Sequence, residues 1–219
     1  ILDSAGQKGT GRWTAIEAQM LGAPVPVIEA AVAARNLSAG RDLRRTGETL
    51  FAQGARHLPK DSLDETTLES ALIAGKILCY AQGFDLLVKA AREQGWDLPM
   101  PAIAEVWREG CIIRSAMLND MAQALRDKPD NLIFAPFFAD LIKAHMPALR
   151  RVVVAALGAG LPVPAMAAAL TYFDTLTQAR GTANMVQGQR DYFGAHGFAR
   201  TDQEGQGFHG PWLNQHLEV

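Results

Sequence analysis

From Leu68 to Val88, apolar side chains recur at three- and four-residue spacing, at Leu68, Leu72, Ile73, Ile77, Tyr80, Phe84, Leu87 and Val88. That spacing places them on one side of the chain only if the backbone is an α-helix. Asp61 to Thr66 supply capping chemistry ahead of the run, and Gly95 stands where the helix can end. No convincing stretch of the chain alternates apolar with polar residues, so no strand is expected. Val152, Val153 and Val154 are β-branched, but they stand inside a helical pattern, where context overrides propensity. The expected fold class is all-α.

Further helices follow from the same reading. Thr14 to Met20 forms a short one, entered through the polar loop Ser4 to Arg12 and ended by Gly22, with Pro24 and Pro26 in the turn. A second covers Pro26 to Leu37, and Thr46 to Ala55 suits another short one. Beyond Pro99 and Pro101 a helix is expected from Ile103 to about Leu118, then one over Asp120 to Lys128. Asn131 to Leu157 reads as helical, with bends at Pro136 and Pro147. Pro164 to Tyr192 is either one long helix or a broken pair. Leu21-Gly22-Ala23-Pro24-Val25-Pro26 is echoed by Gly158-Ala159-Gly160-Leu161-Pro162-Val163-Pro164, so that Pro24 and Pro26 recur 138 positions on. The echo suggests two related helical units. From Gly194 to Val219 the chain turns Gly-rich while keeping Phe198, Phe208 and Trp212, which marks an irregular tail that docks onto something.

The 219 residues suffice for one sizeable core or two small ones. A formal net charge of −2 gives no general pull toward nucleic acid or anionic membranes, so an anion site would need a local basic cluster. The most apolar stretch, Val152 to Leu170, is broken by Gly158, Gly160, Pro162 and Pro164, too soon for a membrane span. Cys79 and Cys111 both sit in apolar helical patterns and read as buried free thiols of a reducing, cytoplasmic setting. No leader pattern opens the chain, and its start on Ile1 sets the expectation of a fragment.

Three groups of residues could carry chemistry. In Gly6-Gln7-Lys8-Gly9-Thr10-Gly11-Arg12-Trp13-Thr14, Lys8 supplies a charge, Thr10 a hydroxyl, and a helix begins at once. This is either an anion cradle or a flexible capping turn. The lysine precedes the threonine by two residues, so it is not a P-loop. Arg35 follows a run of Ala and Val and is either a partly buried ion pair or a fork for phosphate. Arg190 and His196 flank a glycine break, with Asp191 or another acid as the competing partner of Arg190. His196, His209 and His216 match no standard metal spacing. No G-x-G-x-x-G follows a strand, and no Ser-His-Asp or Cys-His arrangement stands out.

Taken together and in order, these segments resemble 6-phosphogluconate dehydrogenases. Asp3, Gly6, Gln7, Lys8, Gly9, Thr10, Gly11, Trp13 and Thr14 match that family's D-x-x-G-Q-K-G-T-G-x-W-T. Glu29 to Ser38 is similar to E-A-V-x-A-R-x-L-S, with an alanine repeated. Lys76 to Phe84 is similar to K-I-x-x-Y-A-Q-G-F, and Trp107 to Ser115 to W-R-x-G-C-I-I-R-S. Gln189 to His196 matches Q-R-D-Y-F-G-A-H, and Phe208 to Trp212 is similar to F-H-x-x-W.

The resemblance implies an enzyme of the pentose phosphate pathway that oxidises 6-phosphogluconate with NADP, or NAD in some members, and decarboxylates the product to ribulose 5-phosphate. It implies an all-helical, internally repeated domain over 1–193 that forms the homodimer, and a tail over 194–219 that docks on the partner subunit. By the same resemblance Lys8, Thr10 and Arg35 hold the substrate phosphate. Arg190 reaches the phosphate of the other subunit's substrate, and His196 that substrate's polar groups. The family's catalytic lysine and glutamate, its Ser-Gly-Gly and His-x-x-Asn elements and its N-terminal Rossmann domain have no counterpart in this sequence. The chain alone is therefore expected to be inactive, with no catalytic, cofactor-binding or metal-binding residue of its own. Two other readings are a helical scaffold that has lost its chemistry and a fragment of a related β-hydroxyacid dehydrogenase.

Overall fold

A computed structural model describes residues 1–51, 54 and 56–215, with the side chains of 214 and 215 left out. Among them it places nine α-helices: α1 (Thr10–Met20), α2 (Pro26–Ala39), α3 (Arg41–Leu50), α4 (Glu65–Gln94), α5 (Met100–Gly110), α6 (Met117–Arg126), α7 (Pro136–Gly158), α8 (Pro164–Leu176) and α9 (Ala183–Gly194). Short 3-10 turns cover Leu132–Phe134 and Pro211–Gln215. The all-α expectation holds. The chain divides into two compact units, Ile1–Phe173 and Asp174–Val219.

The core of the first unit is built on α4. Asp64 takes an extended conformation before the helix, and its carboxylate accepts the Thr67 amide at 2.7 Å, the usual start of a well-capped helix. Gly95 ends the helix in the left-handed region. Between them Ala71, Ala74, Ile77, Leu78, Ala81 and Phe84 are buried. They form a three-and-four stripe that packs chiefly on α7, whose Phe138, Ile142, Met146, Leu149 and Val152 face it. By length and mean hydropathy α4 could cross a membrane, but half of its most apolar window is buried inside this unit. Here it is the core helix.

Gln82, also on α4, is fully buried, and its Oε1 accepts the Val27 amide at 3.1 Å. Val27 stands in the first turn of α2, where a helix amide has no intrahelical partner. A core side chain thus caps the helix that carries Arg35.

The sequence expectations differ from the structure at several places, the first being α1, which begins at Thr10 rather than Thr14. The helix expected over Ile103 to Leu118 is two helices, α5 and α6, because Cys111 turns extended after Gly110 and the Tyr80 hydroxyl donates to the Ile113 carbonyl between them. Asn131 opens a 3-10 turn rather than a helix. Its Oδ1 accepts the Ile133 amide and its Nδ2 donates to the Tyr172 hydroxyl, and Pro136 then starts α7 at a first-turn position. Pro147 lies within α7 without ending it. Pro164 to Tyr192 is the broken pair, α8 and α9. The short helix assigned to Thr46–Ala55 instead begins at Arg41 and ends at Leu50, and Ala55 lies outside the described residues. Cys79 and Cys111 are free but only half-buried, and burial pushes the Cys79 thiol up.

The echo at 138 positions is a repetition of backbone. After α1, the Gly22 amide donates to Gln19 and the Ala23 amide to Ala18. After α7, Gly160 donates to Leu157 and Leu161 to Ala156. Both glycines take positive φ, +60° and +70°. The paired bonds and the left-handed glycine make a Schellman ending in each case, and a helix then starts at Pro26 and at Pro164. Each glycine carbonyl also accepts from a cation, Gly22 from Lys89 and Gly160 from Arg56.

In the second unit Phe198 and Phe208 exchange a pair of backbone hydrogen bonds, an isolated antiparallel bridge that folds the tail back on itself.

Gly22→Ala and Gly160→Ala should each lose about 1–2 kcal/mol to the left-handed conformation. Gly160→Ala should lose more, because its new Cβ would lie 2.2 Å from Arg56 Nη1 and displace that hydrogen bond. Urea denaturation of the two variants checks this, and equal losses would contradict it.

Candidate functional site

The loop before α1 is laced onto the end of α2. The Ala5 amide donates to Ser38 Oγ at 2.9 Å, and that hydroxyl donates to the Arg35 carbonyl at 2.7 Å. The Gln7 side chain donates to Asn36. Asp3 anchors the start: Arg44 Nη1 meets its carboxylate at 2.6 Å, with Arg41 at 3.7 Å. The Arg44 guanidinium holds the Asp3 carboxyl below its usual range. Arg44 also donates to the carbonyls of Asp3 and Ser38.

This lacing brings the segment that carries Lys8 and Thr10 against the segment that carries Arg35. Gly9 caps α1 with φ of +103°, a value that suits glycine, and the Trp13 ring lies against it. No side chain caps the helix, so its first amides, from Thr10 onward, stay available. Lys8, Thr10 and Arg35 are all exposed. Of the two readings of Arg35, a buried ion pair is not what forms: neither its guanidinium nor the Lys8 ammonium has a hydrogen-bond or ion-pair partner among the described residues. Two unpaired cations beside an uncapped helix N-terminus make a place where an anion gains charge-assisted hydrogen bonds. A concavity of about 940 Å³ is lined by Asp3 together with Arg41, Arg44, Arg45 and Arg56. Three of these arginines are engaged by Asp3 or Asp42, so it presents less free charge.

In the second unit, Arg190 and His196 line one cavity of about 390 Å³ with Val186, Gln189, Phe193 and Gly194. The alternative that Arg190 pairs with Asp191 is overturned. Arg190 Nη1 donates instead to Gln187 Oε1 at 3.1 Å. Asp191 is 1% exposed and its carboxylate gathers four donors. The Gly197 amide and His209 Nδ1 reach Oδ1 at 2.9 and 2.6 Å, and the Gly210 amide and Trp212 Nε1 reach Oδ2 at 2.9 and 2.8 Å. Burial alone pushes this carboxyl up. The Gly210, His209, Gly197 and Trp212 donors outweigh it and hold the value down to about 2.

This hub was missed in the sequence, although its parts stood in the matched segments. The available signal was an aspartate at a helix end followed by a Gly-rich tail whose His and Trp are N–H donors. Of the histidines weighed as metal ligands, His209 is paired with Asp191, His196 has no partner among the described residues, and His216 lies outside them. The described residues contain no group of three His, Cys, Asp or Glu side chains arranged to hold a metal ion.

The hub has a defined pH range. The folded carboxyl is depressed, so its stabilisation is complete above the ordinary carboxylate range near about pH 4 and is lost as pH falls through about 2. Exchange protection of the Gly197 and Gly210 amides should persist at about pH 4 and vanish on approach to about pH 2. Loss of protection already above about pH 4 would contradict the four-donor arrangement.

Known proteins match this chain across the residues of both units. The family model for the 6-phosphogluconate dehydrogenase C-terminal domain matches residues 1–212. A decarboxylating 6-phosphogluconate dehydrogenase of Treponema pallidum is 44% identical over 97% of this chain and 46% of its own length. The decarboxylating 6-phosphogluconate dehydrogenase 2 of Saccharomyces cerevisiae is 48% identical over 90% of the chain and 41% of its own length. The solved 6-phosphogluconate dehydrogenase of Plasmodium falciparum, described in apo form and in complexes with NADP+ and 6-phosphogluconate, superposes with a TM-score of 0.90 at 41% identity. It is covered over 46% of its chain, and this chain over 97%. The chain thus spans just under half the length of the relatives it matches. With the loop, the α2 arginine and the tail segment all lying inside the matched span, the chain belongs to the 6-phosphogluconate dehydrogenase C-terminal domain family.

Proposed function

We propose that this chain is the substrate-binding and dimer-forming portion of a decarboxylating 6-phosphogluconate dehydrogenase, which converts 6-phosphogluconate to ribulose 5-phosphate in the cytoplasm. The observation that carries the reading is the pair of unpartnered cations, Lys8 and Arg35, on segments laced to each other beside the uncapped start of α1. A phosphate dianion is the anion that such a set suits, with the Thr10 hydroxyl as a further donor. Held there, the phosphate serves as a handle. Its binding energy orients the sugar acid so that the reacting carbons are presented at the far end. Arg190 and His196 of a second copy act on the same substrate, Arg190 at the phosphate and His196 at its hydroxyls.

In the complete enzyme, bound NADP or NAD would supply the hydride-accepting chemistry. The described residues form helices and no regular strand, so they lack the strand–turn–helix unit that cradles a dinucleotide and do not fit that group. We assign the cofactor site, and the acid–base residues, to the half of the relatives that lies outside the match. Relatives in Bacillus subtilis are described as NADP-dependent and as NAD-dependent, at 42% and 40% identity.

The dimer reading is supported by the second unit. Its described residues include no buried apolar side chain, while Met185, Val186 and Phe193 on α9 are 68%, 56% and 82% exposed. A unit organised around a charged hub and lacking an apolar core of its own gains stability by burying that face. We propose that its segment from residue 194 onward docks on the partner copy, and that residues 1–193 form the helical body.

Calorimetric titration tests the phosphate site. 6-Phosphogluconate should bind more tightly than gluconate, and Arg35→Ala or Lys8→Ala should each weaken it by roughly tenfold or more. Equal affinity for the two ligands would refute the site. Phe193→Asp should shift the chain toward monomer in analytical ultracentrifugation, and an unchanged dimer would remove α9 from the interface.

A further inference from the structure

Arg190 and His196 are six residues apart, on either side of a helix end, yet they line one cavity. Two residues on α9, Asp191 and Gln187, explain how. The Asp191 backbone carbonyl accepts the Ala195 amide at 2.9 Å, and its carboxylate accepts the Gly197 amide at 2.9 Å. His196 lies between those two amides, so its backbone is tied to Asp191 on both sides. Ala195 sits at a φ of +50°, which a non-glycine residue holds only when its surroundings enforce it. One turn earlier, Gln187 uses both ends of its amide: Oε1 accepts from the Arg190 guanidinium, and Nε2 donates to the Gly197 carbonyl. The remaining carboxylate contacts, to His209, Gly210 and Trp212, anchor the returning tail to the same group.

We propose that Asp191, assisted by Gln187, is a positioning residue that sets Arg190 and His196 as one substrate-facing pair. Asp191 itself does not contact the substrate. It acts by fixing the His196 turn relative to the helix that carries Arg190. A carboxylate suits the task because it only accepts, and four N–H donors converge on it. An asparagine of the same shape would aim an NH2 group at donors and leave them unmet. The proposal rests on the reading that Arg190 and His196 bind 6-phosphogluconate.

The test uses the complete dehydrogenase that carries this chain, with steady-state kinetics for both substrates. Asp191→Asn should raise KM for 6-phosphogluconate by roughly tenfold or more while KM for NADP stays within about twofold. A general loss of fold would not separate the two substrates in this way. Combined with Arg190→Ala, it should add little to the effect of Arg190→Ala alone, because both changes remove one function. Should Asp191→Asn fail to fold, Gln187→Met keeps the carboxylate hub and should still raise the same KM by a smaller factor. If Arg190→Ala raises that KM but neither Asp191→Asn nor Gln187→Met does, the positioning role is overturned and the substrate reading survives. If Arg190→Ala itself leaves it unchanged, the substrate reading of this cavity fails and the positioning role falls with it.

Discussion

Helix α4 sets the frame of the first unit, and the most consequential group on it is the polar Gln82. Its neighbours Ala74, Ile77, Leu78, Ala81 and Phe84 supply burial. That burial is strong but non-directional, so packing of this kind fixes that helices meet more firmly than where each one starts. The hydrogen bond from the Val27 amide to Gln82 adds direction, because it pins the first turn of α2 to one point on α4. The amide's other end, Nε2, is left without a partner inside the unit. An apolar side chain of similar size would remove the acceptor and leave the Val27 amide without this partner. Tyr80 and Lys89 work in the same manner, the first at the Ile113 carbonyl between α5 and α6, the second at the Gly22 carbonyl between α1 and α2.

How much of this was legible in the sequence depended on whether the deciding contact was local. The bounds of α4 were readable because Asp64 and Gly95 act within a few residues of the helix they end. The break between α5 and α6 was not, since it depends on Tyr80, more than thirty positions away. α3 was misplaced because none of its described residues is buried, so the core imposed no period on them. At the site, Lys8, Thr10 and Arg35 stood out through their ordered motifs, while the contacts that join their segments run through Gln7, Asn36 and Ser38. Adjacency in sequence suggests Asp191 as a partner of Arg190. Adjacent helix residues point about 100° apart, so a pair at i and i+1 is poorly placed to meet. Gln187, at i−3 from Arg190, is the neighbour that helix geometry favours, and it is the one that bonds.

The repetition at 138 positions shows how one backbone plan can serve two ends. Advancing Lys8, Thr10 and Arg35 by that offset gives Met146, Ala148 and Phe173. Met146 is buried in the core, and Ala148 and Phe173 pack against it. The helices differ in the same sense. α7 runs unbroken from Pro136 through Met146 to its Schellman ending, whereas the equivalent stretch before Thr10 is non-helical and laced to α2. Starting α1 late exposes first-turn amides, whereas the equivalent positions of α7 lie in the interior of a helix. The first occurrence therefore combines an open helix end with free cations, and the second fills the same positions with apolar side chains of the core cluster or packed against it. Binding at one copy and core packing at the other follow from where a helix begins and from three side chains, with the turn between the helices left the same in both.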